Sequence, residues 1–153
     1  MKNSKKLLLL LLISAIMISM VACGDIDTMA RIEKKQQVTL GTNAAFAPFE
    51  MGDGEDVIGI DAEIAERIAE KLDVELVVED MKFEALPAAL KSGKIDFIAA
   101  GYTRRPDREK EMTFSIDYFT AVQAIMVEES NSDMRGVDDL VGKKVGVQTG
   151  TSG

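Results

Sequence analysis

Ser92-Gly-Lys-Ile-Asp-Phe-Ile-Ala-Ala-Gly-Tyr-Thr-Arg-Arg-Pro-Asp-Arg108 decides the reading of this chain. Ile95, Phe97, Ile98 and Ala99 form a short apolar run of the kind a buried parallel strand shows. The run leaves through Ala100-Gly101-Tyr102-Thr103, where a glycine lets backbone come close to a small molecule. Arg104, Arg105 and Arg108 follow, interrupted by Pro106. Open α/β sheets bind ligands just beyond the carboxyl ends of their strands. A guanidinium at such a place can hold a carboxylate through two parallel hydrogen bonds. The stretch alone leaves a second reading open, a solvated turn with three surface arginines, and the rest of the chain has to decide.

Working outward, the flanking segments supply a parallel sheet. Val38–Asn43 reads as a first strand and Val74–Val78 as a second. Between them Ile64, Ile68 and Leu72 recur at helical spacing, with Ala65 and Ala69 beside them and Asp61 as N-cap. A second helix is expected over Phe83–Leu90, with Pro87 in its first turn and Ser92-Gly93 ending it. With Ile95–Ala99 the order is β-α-β-α-β, a parallel α/β sheet with right-handed crossovers. Pro48 keeps Ala44–Glu50 from continuing into helix, so Asn43 and Phe46 sit on a loop at a strand's carboxyl end, and Gly52–Asp56 is a turn. Glu50 reads as a loop residue, and Asp96 as a hydrogen-bonding acid at a strand edge. Further on, Thr120–Val127 reads as a long apolar strand, Val137–Leu140 as a short helix, and Val141–Val147 as the approach to a strand. Gln148–Gly153 is a glycine-rich loop that should open a helix.

Bulk composition narrows the chemistry. The 153 residues carry a net charge of −8, with no histidine and one cysteine. Three of the 18 basic residues, Lys2, Lys5 and Lys6, lie in the amino-terminal leader, which has no acid, so the remainder is more acidic still. No basic patch suited to nucleic acid is left. Without histidine the commonest metal ligand and general base is missing, and a lone cysteine makes neither an internal disulfide nor a cysteine metal cluster. Neither a metal nor a cofactor is expected.

Residues 1–22 read as a signal peptide: a basic start, an apolar run from Leu7 to Val21, then small residues. Ser19-Met-Val-Ala-Cys-Gly-Asp25 resembles the lipobox of bacterial lipoproteins, with Met20 where that pattern usually has leucine. The resemblance implies cleavage before Cys23 and acylation of its thiol. Asp25–Gln37 is polar and charged with little periodicity, so residues 23–37 read as a lipidated cysteine and flexible tether, with a short helix over Met29–Lys35 allowed.

Gly41-Thr-Asn-Ala-Ala-Phe-Ala-Pro-Phe-Glu50, Gly59-Ile-Asp61, Leu86-Pro-Ala-Ala-Leu-Lys-Ser-Gly-Lys-Ile-Asp96, Ala100-Gly-Tyr-Thr103, Arg108, Phe114-Ser115 and Gly142-Lys-Lys-Val-Gly-Val-Gln-Thr-Gly-Thr151 follow one another as in the polar amino-acid binding proteins of bacterial ABC importers. The chain from Val38 onward resembles that family, extracellular solute-binding proteins of family 3. The resemblance implies a type II periplasmic-binding-protein-like fold, two α/β lobes closing on a ligand like a Venus flytrap. Residues 38–119 would be lobe one, and 120–153 a crossover strand and the start of lobe two. The chain is thus expected to be truncated within lobe two and to bind amino acids poorly by itself.

By position, the resemblance gives Arg108 the ligand α-carboxylate. Thr103 and the backbone of Ala100 and Gly101 take the remaining lobe-one contacts. Phe46 and Phe83 flank the ligand side chain, Asn43 reads its far end, and Thr151 and Ser152 donate to the carboxylate from lobe two. Arg105 stands where the family usually carries Thr or Ser. The implied function is a lipid-anchored extracytoplasmic receptor that hands an amino acid to an ABC permease and catalyses nothing. Two alternatives stay open: an enzyme on the same fold, such as a small-carboxylate dehydratase, and the sensor domain of a larger receptor. Neutral Asn43 disfavours a ligand that needs a full charge partner there, while Lys, Arg and His remain allowed.

Overall fold

A computed structural model describes residues 27–131 and 133–153. The leader and Cys23 lie outside the described residues, and no helix among the described ones is long and apolar enough to cross a membrane. The architecture is mixed α/β. Strand β1 (Gln37–Thr42) is central, with β5 (Glu75–Asp80) on one side and β6 (Phe97–Ile98) on the other, all parallel. Helix α2 (Ile60–Leu72) links β1 to β5, and a 3-10 turn (Phe83–Ala85) running into α3 (Leu86–Lys91) links β5 to β6. The β-α-β-α-β order read from periodicity is present.

The core follows from these faces. Phe83, Leu86, Ala89, Ile95 and Ala100 form one cluster, and Ile32, Val38 and Ala69 another. Leu86 and Ile95 are fully buried, each contributing about 1.5–3 kcal/mol relative to exposure. Pro87 lies in the first turn of α3, where its missing N–H has no helical partner to lose. Strand β6 is shorter than the apolar run. Its neighbours still bond to β1, Asp96 N–H to Thr39 O and Ala99 N–H to Gly41 O.

Several expectations change. The short helix allowed within the tether is present as α1 (Thr28–Lys35), capped by Asp27, but it is docked through buried Ile32 and does not hang free. Arg31 on that helix gives two hydrogen bonds to Asp96 Oδ1, while Asp96 Oδ2 accepts Thr39 N–H at 2.8 Å. Asp96 is therefore the structural acid its position suggested. The expected loop after Asn43 is a small antiparallel sheet, β2 (Ala45–Phe46), β3 (Glu50–Asp53) and β4 (Asp56–Ile58), with the turn at Gly54-Glu55. Its strands are too short and polar to show a period of two. Asp61 is not the N-cap. That place belongs to Gly59, and the Asp61 side chain, at the second helical position, is wholly buried.

Thr120–Val127 and Val141–Val147 form no strand. An extended run becomes a strand only when a neighbour takes its backbone groups. These runs have no ladder partner among the described residues, and Met126 is 96% exposed. Val137–Leu140 is a 3-10 helix, and the glycine-rich loop ends in turns.

Gly59 offers a direct test of how β3, β4 and α2 fit together. Its φ is +127°, and a Cβ there would lie 2.4 Å from Phe49 O. Gly59→Ala is expected to lower unfolding stability by at least about 1–3 kcal/mol, from backbone strain alone. Chemical denaturation of parent and variant measures it.

Candidate functional site

The parallel register brings three chain segments to one end of the sheet: Asn43 after β1, Met81–Phe83 after β5, and Ala100–Thr103 after β6. This is where open α/β sheets carry their sites. Gly101 has a φ of +51°, and a Cβ there would meet the Phe46 ring at 2.9 Å. The glycine thus lets Phe46 close over the loop.

Arg108 follows a turn that starts at Pro106 and folds back under the loop. It is 6% exposed. Its guanidinium donates to Thr103 O at 2.7 Å and to Gly150 O at 2.6 Å. The guanidinium carbon lies 3.9 Å from the Tyr102 ring centre, a cation–π contact, and Tyr102 stacks on Phe83 with centroids 5.0 Å apart. Burial, and then the like charge of Arg105, pull the Arg108 pKa below its ordinary value; an arginine stays charged regardless. The result is a fixed cation held by a ring face and two carbonyls, with no carboxylate in salt-bridge range among the described residues.

Asn43 is oriented from both ends. Its Nδ2 donates to Met81 O at 3.0 Å, and its Oδ1 accepts from Gln148 Nε2 at 2.8 Å. The loop carrying Gln148, Gly150 and Thr151 lies across the strand ends, and a Cβ on Gly150 would touch Phe83 and Glu84. Asn43, Phe83, Ala100, Gly101, Thr103, Arg108 and Thr151 are thus brought into one neighbourhood. Phe46 stands at its rim, 51% exposed and stacked on Phe49. Ser152 is exposed.

Some roles differ in detail from the expectation. The Gly101 N–H donates to Asp61 Oδ2 at 2.7 Å. The Thr151 hydroxyl donates to Gln148 O. Ala100 is core. Arg105 makes two hydrogen bonds to Asp107, whose carboxyl it holds down to about 2, and one to Thr151 O at 3.2 Å. Sequence reasoning missed Tyr102, Gln148, Asp61 and Tyr118 as parts of this neighbourhood. Tyr102 could have been found, because it stands between the glycine and the arginines.

Comparison with known proteins shows the family. Residues 38–149 match the profile of the bacterial extracellular solute-binding proteins, family 3. The chain belongs to that family. It is 40% identical over 147 residues to the arginine-binding extracellular protein ArtP of Bacillus subtilis, covering 96% of this chain and 57% of ArtP. A mutant of ArgBP from T. maritima superposes with a TM-score of 0.78 at 38% identity, covering 82% of this chain and 56% of ArgBP. Domain 1 of the same protein, solved in an arginine-bound form, gives 0.56 at 38% identity, covering 58% of this chain and 71% of that domain's chain. The chain spans a little over half the length of the ArtP and full ArgBP chains it matches.

The two aromatics differ in burial, and so in what each gives to stability. Phe83 is 7% exposed and in the core, so Phe83→Ala is expected to cost about 3–5 kcal/mol of stability. Phe46→Ala should cost about 1 kcal/mol, the scale of one aromatic pair. Denaturation curves on both variants check the contrast.

Proposed function

We propose that this chain is the ligand-binding part of an extracytoplasmic receptor that captures a free amino acid, arginine first among the candidates. The observation that carries the reading is the buried, carboxylate-free guanidinium of Arg108 at the strand ends. In this proposal the place of the Gly150 oxygen on Arg108 is the one a ligand carboxylate oxygen takes. A buried carboxylate is costly unless paired and hydrogen-bonded, and Arg108 supplies both. Phe46 and Phe83 flank the ligand side chain. Asn43 Oδ1, where Gln148 now donates, receives a donor at its far end, which suits a guanidinium or amide and not a carboxylate. Thr103, the backbone of Ala100 and the carbonyl of Gly101, whose N–H is taken by Asp61, complete the lobe-one contacts, and Thr151 and Ser152 face them from the other side. The relatives are named as binding proteins, which supports a receptor over a dehydratase. The family's extracellular description supports a place outside the cytoplasm. Delivery to an ABC permease, with the permease sensing the closed state, belongs to the same proposal.

Titration of the full-length gene product with L-arginine tests it. Arg108→Ala should weaken binding by about 2–5 kcal/mol, the range for truncating one member of a buried charged pair. Arg108→Lys should also bind poorly, because the planar fork is lost. Arg104→Ala, whose side chain pairs with Asp117 at the surface, should bind like the parent. An Arg108→Ala protein that binds like the parent would overturn the assignment. The arginine-bound domain 1 weighs against poor binding by lobe one alone, so residues 27–153 belong in the same titration. Micromolar binding there would put most of the recognition in lobe one.

The anchor is proposed from Cys23. Cys23→Ser should release the protein from the membrane fraction or leave it unprocessed. A variant that fractionates and migrates like the parent would remove the lipid anchor from this reading.

A further inference from the structure

Two buried carboxyl groups are given no ligand contact in the reading proposed above. Glu50 opens β3 and is 1% exposed; Asp61 lies in the first turn of α2 and is 0% exposed. Asp61 is fully engaged. Its Oδ2 accepts the Gly101 N–H and its Oδ1 accepts the Tyr118 hydroxyl, both at 2.7 Å. One carboxyl thus joins the loop before Arg108 to the segment that enters the crossover. Phe119, the next residue, packs edge-on against Phe49, beside Glu50 in sequence.

Glu50 is the anomaly. No donor group reaches either of its oxygens, and the polar side chain beside it is another acid, Asp61. No lysine or arginine pairs with Glu50 or Asp61 among the described residues. The titratable groups that act on Glu50 or feel its charge are Asp61 from α2 and Tyr118; Gly101 brings only a peptide N–H to Asp61, and Phe49 and Phe119 are apolar. Two ionised carboxylates here would be two acceptors in a water-poor site, with no donor for Glu50. A single proton removes both the repulsion and the missing bond. A carboxylate has room for this third donor beside the two it already accepts.

We propose that Glu50 keeps a proton and donates it to Asp61, and that this pair is a latch holding the ligand loop at Gly101 and the crossover at Tyr118 in one arrangement. Asp61 is then a positioning residue for Arg108's loop, and Glu50 makes that positioning depend on pH. Burial, and then the charge and hydrogen bond of Asp61, push the Glu50 carboxyl up to about 8. Burial and the Asp61 bond also push the Tyr118 phenol up, so it remains a donor.

The sign follows from proton counting. Between Glu50's ordinary 4.5 and about 8 the folded chain keeps a proton that the unfolded chain has released. Stability therefore falls as pH rises through that window and levels off above it.

The test uses the full-length gene product as parent, Glu50→Gln and Tyr118→Phe. In ligand-free thermal unfolding from pH 4.5 to about 9, the parent should lose stability relative to Glu50→Gln up to about pH 8, then run parallel to it. Superimposable pH profiles would overturn the latch. In calorimetry with L-arginine, an arm that rests on the function proposed above, the parent's affinity should fall between pH 7 and 9 by about tenfold more than that of Glu50→Gln. Comparing the two at each pH cancels the ligand's own titration. Tyr118→Phe should weaken binding already at pH 7. If unfolding responds to Glu50 and binding does not, the positioning role is wrong. If L-arginine binds none of the proteins, the ligand reading fails while the unfolding arm still decides the latch. Should Glu50→Gln not fold, carboxyl-labelled glutamate in the parent decides by NMR: one carboxyl titrating near 8 supports the latch, and none above about pH 6 overturns it.

Discussion

Strand β1 is paired on both sides, and the site depends on that pairing. Its ladder with β5 fixes where Met81–Phe83 emerge, and its shorter ladder with β6 fixes where Ala100–Thr103 emerge. Parallel pairing sends all three carboxyl ends the same way. Asn43 and the β5 end are then locked together, since Asn43 donates to Met81 O, Ala44 N–H to Asp80, and Met81 N–H to Thr42 O. The small sheet β2-β3-β4 hangs from the same end and brings Phe46 to the rim.

On this frame the protein buries charge sparingly. Arg31 and Asp96 form a pair whose carboxylate also takes a backbone N–H, so the cost of removing two ions from water is offset by hydrogen bonds. Arg108 is different. It lies on Tyr102 and donates to carbonyls, which carry only partial charge. A cation left in that condition has unspent attraction for an anion. The surface arginines beside it, Arg104 and Arg105, are matched by Asp117 and Asp107.

The acid pair at Glu50 and Asp61 is the reverse case, two acids meeting away from cations. It lies where β3, the start of α2, the loop after β6 and the segment at Tyr118 converge. Each of those elements comes from a different part of the chain. A contact joining them can report the arrangement of one to the others, as a bond within a single element cannot.

The amino-acid sequence by itself determined the parallel α/β order, the helix over residues 60–72 and the glycine that follows the third strand. These rest on local periodicity, turn chemistry and motif spacing, which need no knowledge of distant partners. The tertiary structure alone decided the rest. Thr120–Val127 has the composition of a strand and is not one here, because strands exist only in pairs. Asp61 has the place of a cap and acts as a bridge over 40 residues to Gly101 and 57 to Tyr118. Glu50 reads as a polar loop residue and is buried against another acid. Arg108's partners, the face of Tyr102 and the carbonyl of Gly150, come from packing and chain reversal. Such contacts join residues far apart in the chain, and the spacing of residue types along a single strand of text carries no trace of which distant group will fill a given hydrogen bond.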